Sequence, residues 1–216
     1  MTAEVAESSK TTPAGVVFFA NAEPLIRALT NGLIFSGDLD AIPEMLATLH
    51  FEFDGSTLTV TSTDRYRMCL ETVELDPSIA HSGQPPFDFL LHCRDAKEAL
   101  GVLRANKRHP VLLKHIGAEN AVIFDGPGQT LRYTTYDAPF PDVRRLIPEE
   151  GTEVKTDRVR FTAGFLADLG KVVTARGRAD HNAIVVKLYG NGKVTRIDYA
   201  DGPLVLIMSQ RIKEGQ

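Results

Sequence analysis

The residues best suited to acid–base or metal chemistry do not cluster in this chain. The histidines show no HExxH or other paired spacing that would bind a metal. They are His50, His81, His92, His109, His115 and His181. Asp64, Asp137 and Asp142 fall in turn segments, where carboxylates commonly accept hydrogen bonds from nearby backbone amides. We therefore expect no catalytic site, no bound metal and no cofactor.

The glycine and cysteine motifs are equally weak as chemical signals. Residues 190–193 read Gly-Asn-Gly-Lys, which lacks the spacing and hydroxyl residue of a phosphate-binding loop and is typical of a hairpin turn. Cys69 and Cys93 belong to no CxxC or Cys/His grouping, so neither a disulfide framework nor a zinc site is indicated. This cysteine usage fits a reducing cytoplasm best.

Composition limits the classes of protein that fit. The chain has 216 residues, 43% of them hydrophobic, enough for one sizeable core or two modest ones. A formal net charge of -4 argues against a protein that binds nucleic acid over its whole surface, but allows a local basic face. No run approaches the roughly 20 apolar residues needed to cross a bilayer. Residues 1–13 lack the apolar core of a secretory signal and are predicted to form a flexible tail.

The order of predicted elements repeats three times: an apolar strand, an amphipathic helix, then two or three alternating strands. The repeats, which we call modules, cover residues 15–62, 87–136 and 158–210. Their helices are predicted to begin at Asn21, to span 94–106 and to span 164–175, and the third module is predicted to open with a strand over 158–161. Each module has roughly 60 residues and is too small to bury its own apolar face. The pattern predicts an α+β fold of repeated strand-helix-strand modules.

A segment rich in proline and charge separates the second and third modules. Residues 140–156 contain Pro141 and Pro148, then Glu149, Glu150 and Gly151, which favour a boundary near Pro148. We predict a two-module domain over residues 14–148, a linker over 149–157 and a half domain over 158–216.

Two motifs and one strand carry a family resemblance. Residues 62–70 read Ser-Thr-Asp-Arg-Tyr-Arg-Met-Cys-Leu, and residues 136–148 read Tyr-Asp-Ala-Pro-Phe-Pro-Asp-Val-Arg-Arg-Leu-Ile-Pro. The first resembles a turn and strand of bacterial DNA polymerase sliding clamps, the beta subunit of the replicative polymerase III. The second resembles the connector that leaves the middle domain of these clamps, and residues 206–212 are similar to their closing strand. The resemblance implies the DNA clamp fold, with outer antiparallel sheets, helices lining a ring and no catalytic activity.

The chain departs from the family in size. Family clamps have three domains of two modules each, whereas this chain has three modules: residues 14–148 resemble a whole middle domain and residues 158–212 only the latter half of the last domain. Family rings close around duplex DNA with about six domains, so module counting predicts a homo-oligomer of about four chains. The unpaired third module would bury its open face against a counterpart in another subunit.

The resemblance also implies a peptide-binding pocket between the middle and last domains. In the family it receives short peptides from polymerases, the clamp loader and repair proteins. The corresponding residues are Leu46, Thr63, Arg65, Tyr66, Arg67, Met68, Pro141, Arg145, Leu146, Leu206, Met208 and Arg211. Periodicity alone favours a plain core role for Leu46, Met68, Leu146 and Leu206. Arg65 and Tyr66 stand where clamps often carry a small residue and histidine, so the peptide preference is expected to differ.

Basic residues on the predicted helices are candidates for facing DNA without reading its sequence. They are Arg27, Arg94, Lys97, Arg104, Lys107, Arg108, Lys171, Arg176 and Arg178. The alternative is a set of solvated helix faces, since lysine and arginine are good helix formers.

The leading interpretation is a shortened sliding clamp that encircles duplex DNA and tethers a polymerase as a processivity factor. The first alternative is a clamp-derived adaptor that binds clamp-binding peptides without forming a ring. The second is a small α+β enzyme whose clamp likeness is fortuitous. We expect a cytoplasmic, nucleoid-associated protein, and its small size favours a phage or plasmid origin.

Overall fold

A computed structural model describes residues 15–40, 43–79, 83–178 and 183–212. The predicted tail over residues 1–13 lies outside these ranges, as do His81 and His181. Within them, no helix has the length and apolar character needed to span a membrane.

The first module consists of β1 (Gly15–Phe19), α1 (Glu23–Phe35), β2 (Thr48–Phe53), β3 (Leu58–Thr63) and β4 (Arg67–Val73). The Asn21 side chain accepts a hydrogen bond from the N–H of Glu23 at 2.9 Å, and a proline occupies the first turn of α1. Leu25, Ala28 and Leu29 recur at helical spacing and are fully buried. Burial of this face packs α1 against β3 and β4.

The second module consists of β5 (Phe87–His92), α2 (Cys93–Ala105), β6 (Val111–Ile116), β7 (Ala121–Gly126) and β8 (Gln129–Thr134). Its helix packs beside α1. The two modules exchange their first strands: β1 pairs with β6, and β5 pairs with β2, both antiparallel. The exchange buries the faces of both modules in one shared core.

The third module follows a short 3-10 helix (Arg144–Leu146) and consists of α3 (Ala163–Leu169), β9 (Val173–Thr174), β10 (Gly177–Arg178), β11 (Ile184–Leu188), β12 (Val194–Tyr199) and β13 (Leu204–Met208). Strand β13 pairs with β4, with Leu206 opposite Met68. This pairing, which we call the joint, produces a seven-stranded sheet in the order β11-β12-β13-β4-β3-β2-β5. The other large sheet has the order β1-β6-β7-β8.

Two predictions for the third module were wrong in detail. The helix predicted over residues 164–175 ends at Leu169, and Val173 instead enters β9 because its backbone is bound by the side chain of Asn31. The strand predicted over residues 158–161 does not form. Among the described residues this segment makes one isolated bridge, between Arg160 and Gln210.

Candidate functional site

A buried polar cluster joins the first and third modules on the helix side of the sheet. Asn31 is fully buried; its amide donates to Glu71 at 2.6 Å and to the carbonyl of Val173 at 2.7 Å, and its oxygen accepts from the N–H of Val173 at 2.8 Å. The Arg27 guanidinium donates to Glu71 at 2.6 Å. Burial raises the pKa of Glu71, although hydrogen bonds from Asn31 and Arg27 act in the opposite direction.

The turn between β3 and β4 is shaped by its own side chains. One oxygen of Asp64 accepts from the N–H groups of Tyr66 and Arg67, at 2.9 and 2.7 Å. Arg65 has a φ of +80°, a left-handed conformation that favours glycine. The N–H of Met208 donates to the carbonyl of Tyr66 at 2.8 Å, so the turn is also tied to the end of β13.

Arg67 links this turn to the third module. Its guanidinium binds Asp64 at 2.8 Å, forms an ion pair with Asp168 of α3, and lies 4.7 Å from the ring centre of Phe165. Burial alone would raise the pKa of Asp168, but hydrogen bonds and charges from Lys171 and Arg67 outweigh it, so this pKa lies below its ordinary value. Arg67 therefore fixes the position of α3 as well as lining the site.

An apolar cleft opens on the outer face of the sheet, over the joint. Its walls come from the turn, the connector and β13, with about 260 Å³ of space partly open to solvent. The lining residues, which define the apolar cleft below, are Thr63, Arg65, Tyr66, Arg67, Met68, Leu146, Val194, Leu206 and Met208. Met68 and Leu206 are buried and form its floor, whereas Tyr66, Leu146 and Met208 are 60%, 45% and 37% exposed. Exposed apolar groups around a buried floor suit the docking of apolar side chains.

A second cavity adjoins the apolar cleft and shares Arg65 and Tyr66 with it. Leu46 lines this neighbour, together with Asp38, Asp40 and Asp64. The bulky side chains at positions 65 and 66 therefore stand between an apolar space and one lined by carboxylates.

The structure does not bring every predicted pocket residue to these two cavities. Pro141 instead lines a larger open cavity between the connector and β2, where Phe140 stacks on His50 with ring centres 4.9 Å apart. Arg145 and Arg211 line none of these three cavities. Leu146, which periodicity alone assigned to the core, is exposed on the rim of the cleft.

One cleft residue was missed from the sequence. Val194 begins β12 and lies opposite Met208 in the antiparallel register. Its pairing follows from the short hairpin that joins β12 to β13, so counting back from Met208 across that turn could have identified it.

The basic residues predicted to face DNA differ in their surroundings. Arg94, Lys97 and Arg104 recur at helical spacing along one exposed side of α2, and Arg108 is exposed just beyond it. Other members have carboxylate partners: Lys107 with Glu23 at 3.9 Å, Lys171 with Asp168 at 2.6 Å, and Arg176 with Asp201 at 2.8 Å. Arg178 is exposed in β10.

Arg27 differs from the rest of the predicted basic set. Its side chain is only 12% exposed, and its bond to the buried Glu71 makes it part of the core of the joint. We therefore leave Arg27 out of the basic helix face, which we define as Arg94, Lys97, Arg104 and Arg108.

No group of three or more histidine, cysteine, aspartate or glutamate side chains that could hold a metal occurs among the described residues. Cys69 and Cys93 are buried and unbridged, and burial raises the pKa of both thiols.

The comparisons with known proteins agree with the fold. No family model matches the chain. The beta sliding clamp of Micrococcus luteus is 25% identical over 186 residues, 85% of this chain but 54% of that protein. The DNA polymerase III beta subunit of Thermotoga maritima has a TM-score of 0.72 at 16% identity, with 97% of this chain and 70% of that chain covered.

The DNA polymerase sliding clamp of Bacillus subtilis has a TM-score of 0.68 at 15% identity, with 94% of this chain and 66% of that chain covered. The predicted DNA clamp fold and the resemblance to bacterial sliding clamps are confirmed. The chain spans about half the length of the curated relative it matches.

Proposed function

We propose that this chain, which has the fold of bacterial DNA polymerase sliding clamps, is a non-catalytic processivity factor. It encircles duplex DNA without sequence preference and tethers a polymerase through a short peptide bound in the apolar cleft. The observation that supports this proposal best is the convergence of Tyr66, Leu146 and Met208, all exposed and apolar, over the joint of a clamp fold.

The apolar cleft fits a peptide with leucine or phenylalanine side chains. Met208 is unbranched and adapts to either shape, while Leu146 offers a second apolar wall. A few buried apolar contacts supply most of the binding energy in such sites. The same cleft would serve a clamp loader or repair protein that carries a similar peptide.

The peptide site is tested by titrating a fluorescent clamp-binding peptide against the wild type and the double variant Leu146→Ala, Met208→Ala. Both side chains lie on the rim, so the fold should persist, and we expect the Kd to rise by about tenfold or more. Ile79→Ala with Val154→Ala is the matched control, because these apolar side chains are exposed outside the cleft. Equal affinity of the wild type and the cleft variant would show that the peptide binds elsewhere.

The basic helix face provides the contact with DNA in this proposal. It lies on the helix side of the sheets, opposite the apolar cleft, and lysine or arginine that meets phosphates permits sliding because no base edge is read. Lys97→Glu with Arg104→Glu should shorten retention on nicked circular DNA.

Lys114→Glu with Arg132→Glu makes the same charge change on the outer face of the β6-β7-β8 sheet, where Lys114 and Arg132 flank Ile123 in register and share its face. This control should be retained like the wild type. A ring also predicts that cutting the circle releases the protein. Peptide binding without any retention on circular DNA would instead indicate the non-ring adaptor.

Self-assembly is part of the proposal. Three modules per chain and about twelve modules per ring give about four chains. Light scattering at micromolar concentration should give the mass of four chains, and a stable monomer would contradict ring formation. We place the assembly with DNA in the nucleoid, and a phage or plasmid origin would account for its small subunit.

A further inference from the structure

One backbone hydrogen bond recurs in all three modules. In the first module the N–H of Asp76, just beyond β4, donates to the carbonyl of Phe18 in β1 at 2.8 Å. In the second module the N–H of Tyr136, just beyond β8, donates to the carbonyl of Leu90 in β5 at 2.8 Å. The third module repeats this bond from the N–H of Gln210, just beyond β13, to the carbonyl of Arg160, also at 2.8 Å.

This bond positions the opening segment of each module for strand exchange. Phe18 also pairs with Leu112, the second residue of β6, and Leu90 pairs with His50, the third residue of β2. Each opening strand is therefore bound by its own module on one side. On the other side it pairs with the strand that follows the helix of the neighbouring module. Arg160 occupies the equivalent place in the third module, and its bridge to Gln210 is isolated, outside any of the named strands.

The strand that should receive an exchanged segment lies at the edge of its sheet. In the third module the strand after the helix is β11, which pairs only with β12 within the described chain. The N–H of Val154 donates to the carbonyl of Leu188 at 2.9 Å, so this carbonyl points to the outer edge. Because backbone groups alternate along a strand, Ile184 and Val186 present their N–H and C=O groups on the same open edge.

This edge also exposes apolar side chains. Val186 lies opposite Ile197 in register and shares its face, yet it is 49% exposed, and Val185 is 58% exposed. The inward-facing residues of the equivalent strands, such as Leu49 in β2 and Leu113 in β6, are fully buried. Exposed valines on a bare edge strand invite pairing with another chain, which proteins ordinarily prevent with charge or proline.

We infer that two copies of this chain exchange residues 158–162, each copy adding this segment as an antiparallel strand to β11 of the other. Arg160 of one copy lies opposite Val185 or Val186 of the partner subunit, as Phe18 and Leu90 do in the first two modules. Val154 covers the edge at Leu188, so the contact extends over residues 184–187. A second copy is the fitting occupant because each copy offers both a strand and an edge, and a two-fold axis satisfies both at once.

The exchange also explains how three modules could build a ring of two-module units. Two third modules would form one shared unit, with α3 beside α3 as α1 lies beside α2. Four chains then supply four complete units and two shared ones, about six in all. The place of this shared unit in a ring rests on the self-assembly proposed above. The strand pairing between the two copies is argued from the backbone geometry of this chain alone.

Disulfide cross-linking tests this pairing directly. Opposite residues in antiparallel strands have Cα atoms about 4.5–5.5 Å apart, within the span of a disulfide. We expect oxidation of either Arg160→Cys with Val186→Cys or Arg160→Cys with Val185→Cys to give a covalent dimer on a non-reducing gel. Each single variant, and Arg132→Cys with Val186→Cys, is a control that should remain uncrosslinked. The native Cys69 and Cys93 are buried and should add little background.

A second variant tests the same contact without new cysteines. Val186→Lys changes an exposed side chain, so the subunit should fold, but it places charge on the apolar edge. We expect light scattering to show loss of the wild-type assembly mass.

Absence of a covalent dimer from both cysteine pairs, with normal circular dichroism, would overturn the inference. A cross-link within one chain would overturn it equally. Cross-linked dimers that are never retained on circular DNA would support the contact and contradict the clamp function. Retention on circular DNA without cross-linking would support the clamp function and contradict this contact.

Discussion

Asn31→Ala is the sharpest test of how the third module is held. The substitution removes the side chain that satisfies a carboxylate oxygen of Glu71 and both backbone groups of Val173. Each buried group left without a partner costs about 1–3 kcal/mol. Partial hydration should moderate the three costs, so we expect the free energy of unfolding to fall by about 3–5 kcal/mol.

Urea denaturation followed by circular dichroism measures this loss, and hydrogen exchange locates it. Amides of β9 and β12 should exchange faster than in the wild type, while amides of β6 and β7 should change little, because Asn31 contacts the third module and not the second sheet. Asn21→Ala is the matched control at the start of the same helix: it removes the acceptor for the N–H of Glu23 and should cost about 1 kcal/mol.

The isosteric change Asn31→Asp separates the loss of volume from the loss of hydrogen bonding. It places a second carboxylate beside Glu71, and one proton shared by the pair would restore a donor. Its destabilisation should therefore shrink as the pH falls toward 5. A cost below about 1 kcal/mol for Asn31→Ala, or faster exchange spread evenly over the chain, would refute the assigned role of Asn31.

Three further predictions concern the turn, the helices and acid stability. Arg65→Gly should raise the free energy of unfolding by about 1 kcal/mol, because glycine adopts the φ of +80° without strain. Urea denaturation measures this change. A loss of stability would mean that contacts of the arginine side chain outweigh the strain of its backbone. Gly101→Ala should stabilise exposed α2 by about 0.5–1 kcal/mol, since an added Cβ meets nothing within 4 Å. Gly32→Ala should destabilise the fold by about 1–2 kcal/mol, since its Cβ would lie 2.8 Å from buried Leu49. If Gly101→Ala and Gly32→Ala changed the free energy of unfolding in the same direction, the packing of α1 on β2 would be contradicted. Because the pKa of Asp168 is lowered in the folded protein, its charge stabilises the fold at pH values above 3.8, its ordinary pKa, and this stabilisation is lost as the pH falls further. The melting temperature of Asp168→Asn should therefore depend less on pH between about 5 and 3 than that of the wild type. An equal pH dependence of the two melting temperatures would contradict this prediction.

Local periodicity was sufficient to predict most of the elements of the chain. The apolar positions of α1 and α2, and the alternation in β6 and β7, reflect the need of each element to bury one face, and that need is visible in sequence. In the third module, local periodicity did not predict where the helix ends. Whether Val173 continues a helix depends on Asn31, which lies far away along the chain but close in space.

The candidate site likewise combines features that the sequence predicts with features that it does not. The motif over residues 62–70 and the connector were assigned to one pocket because the family resemblance implies that they lie close together. The role of Arg27 could not be inferred in this way, since helix propensity places arginine equally well in solvent or against Glu71. The pairing of β4 with β13, which decides that Met68 and Leu206 form a floor, is a register between distant strands.

The seven-stranded sheet has a mechanical consequence. Because β4 and β13 exchange backbone hydrogen bonds across the joint, bending there would stretch a continuous ladder as well as open the buried Asn31 cluster. The two sides of the joint should therefore move as one rigid unit, and an assembly should bend mainly at contacts between chains. A partner that pulls on a peptide in the apolar cleft would transmit force through this rigid unit, so the assembly would open first where one copy contacts the next.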